Sequence, residues 1–335
     1  MNANQNSALS SAEIAQLWSG YLNSSMSKCI FLYFSYTVED QKLQSMLQEG
    51  IQISDAHLQK LTGFFENEGI FVPYGFKAEE DVNTAAPKLF SENFSLHFLY
   101  NYVMFAVSFY ALAKTFAVRP DVVEYFNNCL RQVNEYETKL KNMLLDKHLY
   151  IRSPHIIPVK GPSFVESKKF MGGMFGDKRP LNVIEITNIH SNLKRNALGN
   201  SIMIGFSQVA RSKEVGQFMV RGRDIAAKHT KVFSQMLEES YLPASMSWDM
   251  EVTDSTTPPF SDKLMMFMTT SLIALSAGIY ATSAASSARK DISITFIRLS
   301  AEIASYAEDG AKILIKNGWF EESPHPADHD ELANK

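Results

Sequence analysis

The feature that most constrains this chain is an internal repeat, because the second half reproduces the residue pattern of the first. Glu13 corresponds to Glu185 and His57 to His229, both at an offset of 172 residues. A repeat period this long indicates two copies of a whole structural unit rather than a solenoid of short repeats. At 335 residues the chain also exceeds the usual length of one domain. The sequence therefore predicts a tandem duplication.

Farther along the chain the offset between the two halves becomes 170 residues. Tyr136 corresponds to Tyr306 at this offset, and the same offset holds for three tripeptides in each half. One deletion of two residues in one loop therefore brings both halves into register from end to end. The tripeptide pairs are Phe90-Ser91-Glu92 with Phe260-Ser261-Asp262, Arg119-Pro120-Asp121 with Arg289-Lys290-Asp291, and Ser153-Pro154-His155 with Ser323-Pro324-His325.

Each half shows the periodicity of four helices, with apolar residues recurring at helical spacing. Gly69 is a natural end for the second helix, Ser91 an N-cap for the third, and Pro120 fits the first turn of the fourth. The first and second helices are joined tightly, as are the third and fourth, and tight joints make antiparallel neighbours.

A long connection joins the second and third helices, over residues 70–90 in the first half and 243–259 in the second. One long crossover between two helical hairpins is the topology of ferritin-like bundles. The predicted fold class is therefore all-α, with two tandem ferritin-like four-helix bundles. The predicted domains are a first bundle over 9–150, a linker over 151–180, a second bundle over 181–320 and a flexible tail over 321–335.

The third helix of each half is unusually apolar. Phe94 to Val118 contains one charged residue, Lys114, and Leu264 to Ala288 contains none. Length and hydropathy would allow either to span a membrane. The repeat favours the alternative of helices packed between bundles or across a homodimer interface, where small residues such as Ala277, Gly278, Ala281 and Ala285 permit close approach.

Composition excludes some classes of protein. The formal net charge is -4 and the basic residues are scattered, so no nucleic-acid partner is expected. Two cysteines, Cys29 and Cys129, cannot form a disulfide framework, and we expect buried, reduced thiols. The N-terminus has no basic and apolar signal pattern, so a cytoplasmic location is expected.

A ferritin-like bundle raises the possibility of a di-iron site, which needs Glu-x-x-His on two helices. The position three before His57 is Ser54, and the position three before His229 is Ala226. Neither bundle therefore has the ligands of a standard di-iron centre. A histidine on an apolar helix face is more often a hydrogen-bonded core residue than a ligand, and this is the first interpretation of His57 and His229.

The second half offers one alternative metal site. His190 on its first helix and Glu302 on its fourth are predicted to lie at about the height of His229. Imidazole and carboxylate ligands suit a single Zn, Fe or Mn ion. The matching residues of the first half are Trp18, His57 and Gln132, so such a site would belong to the second bundle alone. No cofactor is predicted otherwise, and no catalytic residue is assigned.

Six segments together carry a family resemblance: Ser11–Trp18, Ala86–Ser91, Met246–Asp249, Glu251–Thr256, Phe260–Phe267 and Tyr306–Gly310. They resemble a family of duplicated ferritin-like domains from endospore-forming bacteria, of unknown activity, some of whose members are labelled spore coat proteins. The resemblance covers about Leu9 to Leu332. It implies the ferritin-like fold, a spore-forming source and a spore-associated location, and it transfers no catalytic residue.

Two functional hypotheses follow. The first is a non-enzymatic structural or interaction protein related to sporulation or the spore coat, with homodimer or coat-protein contacts through the apolar third helices. The second is a metal-binding ferritin-like protein that uses His190, His229 and Glu302. Membrane attachment through the third helices is the less favoured alternative.

Overall fold

A computed structural model describes residues 7–158, 161–173, 178–244 and 246–333, with the side chains of Asp330 and Glu331 excepted. The start of the chain, residues 159–160 and 174–177 of the predicted linker, and the end of the predicted tail lie outside the described residues.

The described chain is all-helical, as predicted, and its four long helices per repeat confirm the periodicity of the sequence. No β-strand occurs in these residues, where only an isolated bridge joins Phe90 and Val252. Short helices lie at Ala78–Asp81, Lys168–Met171, Asp249–Glu251 and His329–Ala333. The long helices are α1 Ser11–Thr37, α2 Gln41–Asn67, α3 Glu92–Phe116 and α4 Pro120–Asp146, then α5 Val183–Val209, α6 Lys213–Glu238, α7 Asp262–Ser286 and α8 Lys290–Lys316.

Matching caps begin the first helix of each repeat. Ser10 accepts a hydrogen bond from the Glu13 backbone N–H, and the Glu13 side chain bonds back to Ser10, which makes a capping box. Asn182 and Glu185 form the same box at the start of α5. Such caps satisfy backbone N–H groups that have no partner inside the helix. The repeat is therefore preserved in local structure as well as in sequence.

Two compact units divide the chain, and they follow the repeats with two exceptions. The first unit contains the described residues up to Ala85, Leu96–Asp146 and the residues from Gly318 onward. The second contains Ala86–Ser95 and Lys147–Asn317. The end of the first crossover therefore belongs to the second unit, and the C-terminal tail belongs to the first.

The first unit packs around an apolar core between its helices. Trp18 meets Phe65 edge to face at 6.2 Å between ring centroids, and Leu61, Phe65 and Phe126 have no exposed surface. Full burial of one such side chain contributes roughly 1.5–3 kcal/mol relative to exposure. Cys129 belongs to this core, and both Cys29 and Cys129 are buried and free, as expected.

By length and composition, α3 and α7 could each cross a membrane. Within their most apolar windows, 44% of α3 and 33% of α7 is buried in the protein. The exposed part of α7 carries mostly small side chains, including Ala274, Gly278, Ala281 and Ala285. The exposed part of α3 carries bulkier ones, including Leu112 and Phe116.

Candidate functional site

A histidine in the interior of the first unit joins three helices through its two ring nitrogens. His57 on α2 lies 3.0 Å from the hydroxyl of Tyr110 on α3, through Nδ1. Its Nε2 lies 3.0 Å from Oε1 of Gln132 on α4. The amide oxygen only accepts, so Nε2 carries the proton and Nδ1 accepts from the tyrosine. His57 is 6% exposed, and both of its nitrogens are satisfied.

The second unit repeats this arrangement with a carboxylate in place of the amide. His229 Nδ1 lies 3.0 Å from the Tyr280 hydroxyl, and its Nε2 lies 3.2 Å from Glu302 Oε2. Lys228 donates to both oxygens of the same carboxylate at 2.8 Å. Asn196 on α5 donates to the Tyr280 hydroxyl at 2.7 Å. The resulting network joins all four helices of the second repeat.

Burial sets the protonation of both histidines. Desolvation lowers the pKa of His57, and the hydrogen bond to Gln132 opposes this shift only in part. Desolvation likewise lowers the pKa of His229 against the opposing influence of the Glu302 carboxylate. Both imidazoles are therefore neutral near pH 7.

Of the three predicted metal-ligating residues, the structure brings two together. His229 and Glu302 are in direct contact, whereas His190 Nδ1 lies 3.3 Å from the Ser153 hydroxyl. Within the described ranges, no three His, Cys, Asp or Glu side chains are placed to hold one metal ion. The three-residue arrangement is therefore not formed in this structure, and a metal site that uses these residues stays a prediction.

Tyrosines on the fourth helix of each repeat form a second matching feature. Tyr136 donates to the Met46 carbonyl at 2.7 Å, and Tyr306 donates to the Phe218 carbonyl at 2.8 Å. Both bonds cross from the fourth helix of a repeat to its second helix. A glycine one turn farther along the second helix, Gly222 in the second repeat, leaves room for the hydroxyl.

A buried carboxylate at the start of each repeat forms the third matching feature. Glu13 accepts from the backbone N–H groups of Val118 and Arg119, at 2.9 and 2.8 Å, and thereby holds the start of α4. Glu185 accepts from the Arg289 backbone N–H at 2.9 Å and holds the start of α8 in the same way. These contacts tie the first helix of each repeat to the fourth.

Each unit has a wide concave surface beside its network. The α2–α4 cleft of the first unit encloses about 280 Å³ and is lined by Ala56, His57, Lys60, Asp121, Glu124, Tyr125, Asn128, Cys129 and Gln132. The α5–α7 groove of the second unit encloses about 340 Å³ and is lined by Thr187, Asn188, Ser191, Asn192, Arg195, Ala274, Leu275, Gly278, Ile279, Thr282 and Ser283.

Comparison with family models finds the same duplication. The family described as "Protein of unknown function (DUF3231)" matches residues 1–161 and again residues 169–332. The chain belongs to this family. Its two matches show that the family unit occurs twice in the chain, as the repeated networks also indicate. Comparison with curated proteins and with solved structures finds no match.

Sequence reasoning identified both histidines and their partners on the fourth helix, but it missed Tyr110 and Tyr280. These tyrosines lie within the apolar third helices, where they resemble ordinary core residues. The signal that could have found them is the offset of 170 residues, which places the two tyrosines at the same position of the repeat. The interior networks therefore consist of residues that correspond across the repeat.

Proposed function

We propose that the chain is a non-enzymatic structural or interaction protein, built from two ferritin-like four-helix bundles, that associates with a second copy of itself through α7. The resemblance of the sequence to a family with members labelled spore coat proteins supports a spore-associated setting, in which self-association would help to build a protein layer. The main support for this proposal is the exposed face of α7. The helix has no charged residue from Leu264 to its C-terminal end, and its exposed side chains are mostly small.

The spacing of the small residues fits packing against another helix. Ala274, Gly278, Ala281 and Ala285 are separated by four, three and four residues, which keeps them on one helix face. Small side chains allow two helix axes to approach closely. A second copy fits better than a charged partner, because an uncharged patch can meet itself across a two-fold axis without repulsion.

The oligomeric state tests this proposal, measured by light scattering behind size-exclusion chromatography over a range of concentrations. We expect a dimer for the native chain and a monomer for Gly278→Glu and Ala281→Glu, because the new carboxylates would oppose each other in the interface. Both positions lie at the surface, so the fold should persist.

Matched controls are Ser108→Glu and Ala111→Glu, the corresponding exposed positions on α3, which should leave the dimer intact. A native chain that stays monomeric at every concentration would overturn the proposal. A dimer that withstands the α7 substitutions but is lost with the α3 substitutions would overturn the choice of α7.

A mononuclear metal site in the second bundle is the second candidate function. The contact between His229 and Glu302 favours it, because a neutral imidazole and an ionised carboxylate are already side by side. The Lys228 ammonium opposes it, since it occupies both oxygens of the same carboxylate. Metal content of the purified chain decides between the two candidates.

A further inference from the structure

The α2–α4 cleft is lined mostly by polar side chains. Lys60, Asp121 and Glu124 are exposed, and Gln132 is half-buried. Tyr125 is 5% exposed, and its hydroxyl is buried beside the Cys129 thiol, so the groups open to an occupant of the cleft are the charged and amide side chains.

Two opposite charges in the lining form no ion pair within the part of the chain that the structure describes. Lys60 and Glu124 are both exposed, and the Lys60 ammonium lies over the Phe64 ring, 5.3 Å from its centroid. Asp121, by contrast, is held by Arg119, with Arg119 Nε 2.8 Å from Asp121 Oδ1. The cleft therefore offers one cation and one anion that remain available to a ligand.

The floor of the cleft supplies neutral donors and no reactive group. Gln132 uses Oε1 for His57, which leaves its amide N–H groups for the cleft. Burial raises the pKa of Cys129 to about 12, so the thiol stays protonated and is a poor nucleophile. The surroundings are therefore suited to binding a small polar molecule rather than to covalent chemistry.

The second repeat shows how the cleft arises. At the positions of Ala56 and Gln132 it has Lys228 and Glu302, which pair with each other at 2.8 Å beside His229. In the first repeat the shorter alanine and the uncharged amide leave this space open. Two of the three charged lining residues differ as well, since Val232 stands in place of Lys60 and Ile294 in place of Glu124, whereas Asp291 corresponds to Asp121.

We propose that the α2–α4 cleft binds a small zwitterion, an amine-bearing carboxylic acid of the size of a free amino acid. The carboxylate of the ligand contacts Lys60 and the Gln132 amide, and its ammonium group contacts Glu124. Charge-assisted hydrogen bonds of this kind are stronger than neutral ones. At about 280 Å³ the cleft falls just below the usual range for drug-sized ligands. This site is separate from the α7 face and does not depend on self-association.

Ligand-observed NMR titration of the full chain tests this proposal. The probes are L-alanine, L-serine, L-leucine and L-glutamine, with propionate and ethylammonium as ligands that carry one charge each. We expect at least one amino acid to bind, and both single-charge probes to bind at least about tenfold more weakly, since each loses one charge-assisted contact.

Three variants locate the site. Lys60→Met and Glu124→Gln, both at exposed positions, should each weaken binding about tenfold. Ala56→Lys with Gln132→Glu introduces the pair of the second repeat and should abolish binding, while the fold persists because that pair already occurs at the same place in α6 and α8. Lys228→Ala with Glu302→Gln is the matched control and should leave binding unchanged.

Binding of propionate as tight as that of the amino acids would overturn the zwitterion assignment. Binding that survives Ala56→Lys with Gln132→Glu would overturn the cleft as its location. A native chain that binds none of the four amino acids would overturn the proposal as a whole.

Discussion

At the scale of single residues, interior polar groups correspond across the two repeats, and their partners correspond with them. The Tyr136 hydroxyl reaches the Met46 carbonyl, and the Tyr306 hydroxyl reaches the Phe218 carbonyl, because a glycine of the second helix leaves the space. A hydrogen bond of this kind is worth roughly 0.5–1.5 kcal/mol net, and an unpaired buried hydroxyl costs more. These pairs are best understood as structural.

Gly222→Ala tests this interpretation. The added Cβ would overlap the Tyr306 hydroxyl, so we expect the free energy of unfolding to fall by about 1–3 kcal/mol, as overpacking usually causes. Intrinsic helix propensity alone would change it by about 1 kcal/mol in the opposite direction. Urea denaturation at pH 7 measures the difference.

Gly199→Ala is the control for this substitution, because its added Cβ would meet nothing within 4 Å in the middle of α5. It should raise the free energy of unfolding by up to about 1 kcal/mol. If both substitutions stabilised the chain equally, the hydroxyl of Tyr306 would not be held where the structure places it.

The sequence alone predicted that His57, His229 and Gln132 face the interior, but it did not predict which side chains of the third helices the histidines contact. Helical spacing shows which residues face inward, so the histidines and their partners on the fourth helix could be expected. It cannot show lateral contacts to a third helix that is apolar all round, so Tyr110 and Tyr280 were missed. His190 was expected at the height of His229, but Asn196 is the α5 residue that joins the His229 network through Tyr280, and the His190 ring lies near the Ser153 hydroxyl instead.

At the scale of helices, a carboxylate at the start of each repeat links the first helix to the fourth. Glu13 accepts four hydrogen bonds, from the backbone N–H groups of Val118 and Arg119 and from the backbone and hydroxyl of Ser10. Burial would raise the pKa of Glu13, but these hydrogen bonds outweigh it and lower the pKa to about 2. The ionised form is therefore part of the fold.

Glu13→Gln should destabilise the chain at pH 7 by about 1–3 kcal/mol, since an amide cannot accept all four bonds. The pKa of this carboxyl is lower in the folded state than in the unfolded state. Its contribution is therefore fully present above the unfolded value of about 4.5 and is lost as the pH falls toward 2.

Urea denaturation at pH 7 and at pH 3 measures this effect. We expect the difference in stability between the native chain and Glu13→Gln to be smaller at pH 3. A difference that stayed constant with pH would show that the carboxylate is not held in its ionised form. Thr187→Ala, at an exposed position of α5, is a control that should show no such pH dependence.

Helix bounds could be predicted closely because caps are local signals. Pro120 and the residues around Ser91 mark helix starts by their own chemistry, and the structure begins helices at Pro120 and at Glu92. The first helix runs to Thr37 and ends where Val38 takes an extended backbone conformation, without a glycine or proline at that point.

At the scale of the whole molecule, the duplication was predictable, but the exact composition of each unit was not. Residues Ala86–Ser95 of the first repeat belong to the second unit, where the Ser91 backbone N–H donates to the Glu251 carbonyl at 2.8 Å. The tail belongs to the first unit, where Glu321 accepts from the Gly75 N–H at 3.1 Å. Periodicity and spacing carry no signal for such long-range contacts.

His57 and His229 are structural members of equivalent interior networks. Metal analysis of the chain, purified without chelator, tests this role most directly. We predict no stoichiometric Zn, Fe or Mn, and unfolding that is unchanged by added chelator. About one metal ion per chain, lost in His229→Ala but kept in His57→Ala, would contradict the account and make the second bundle a metal site.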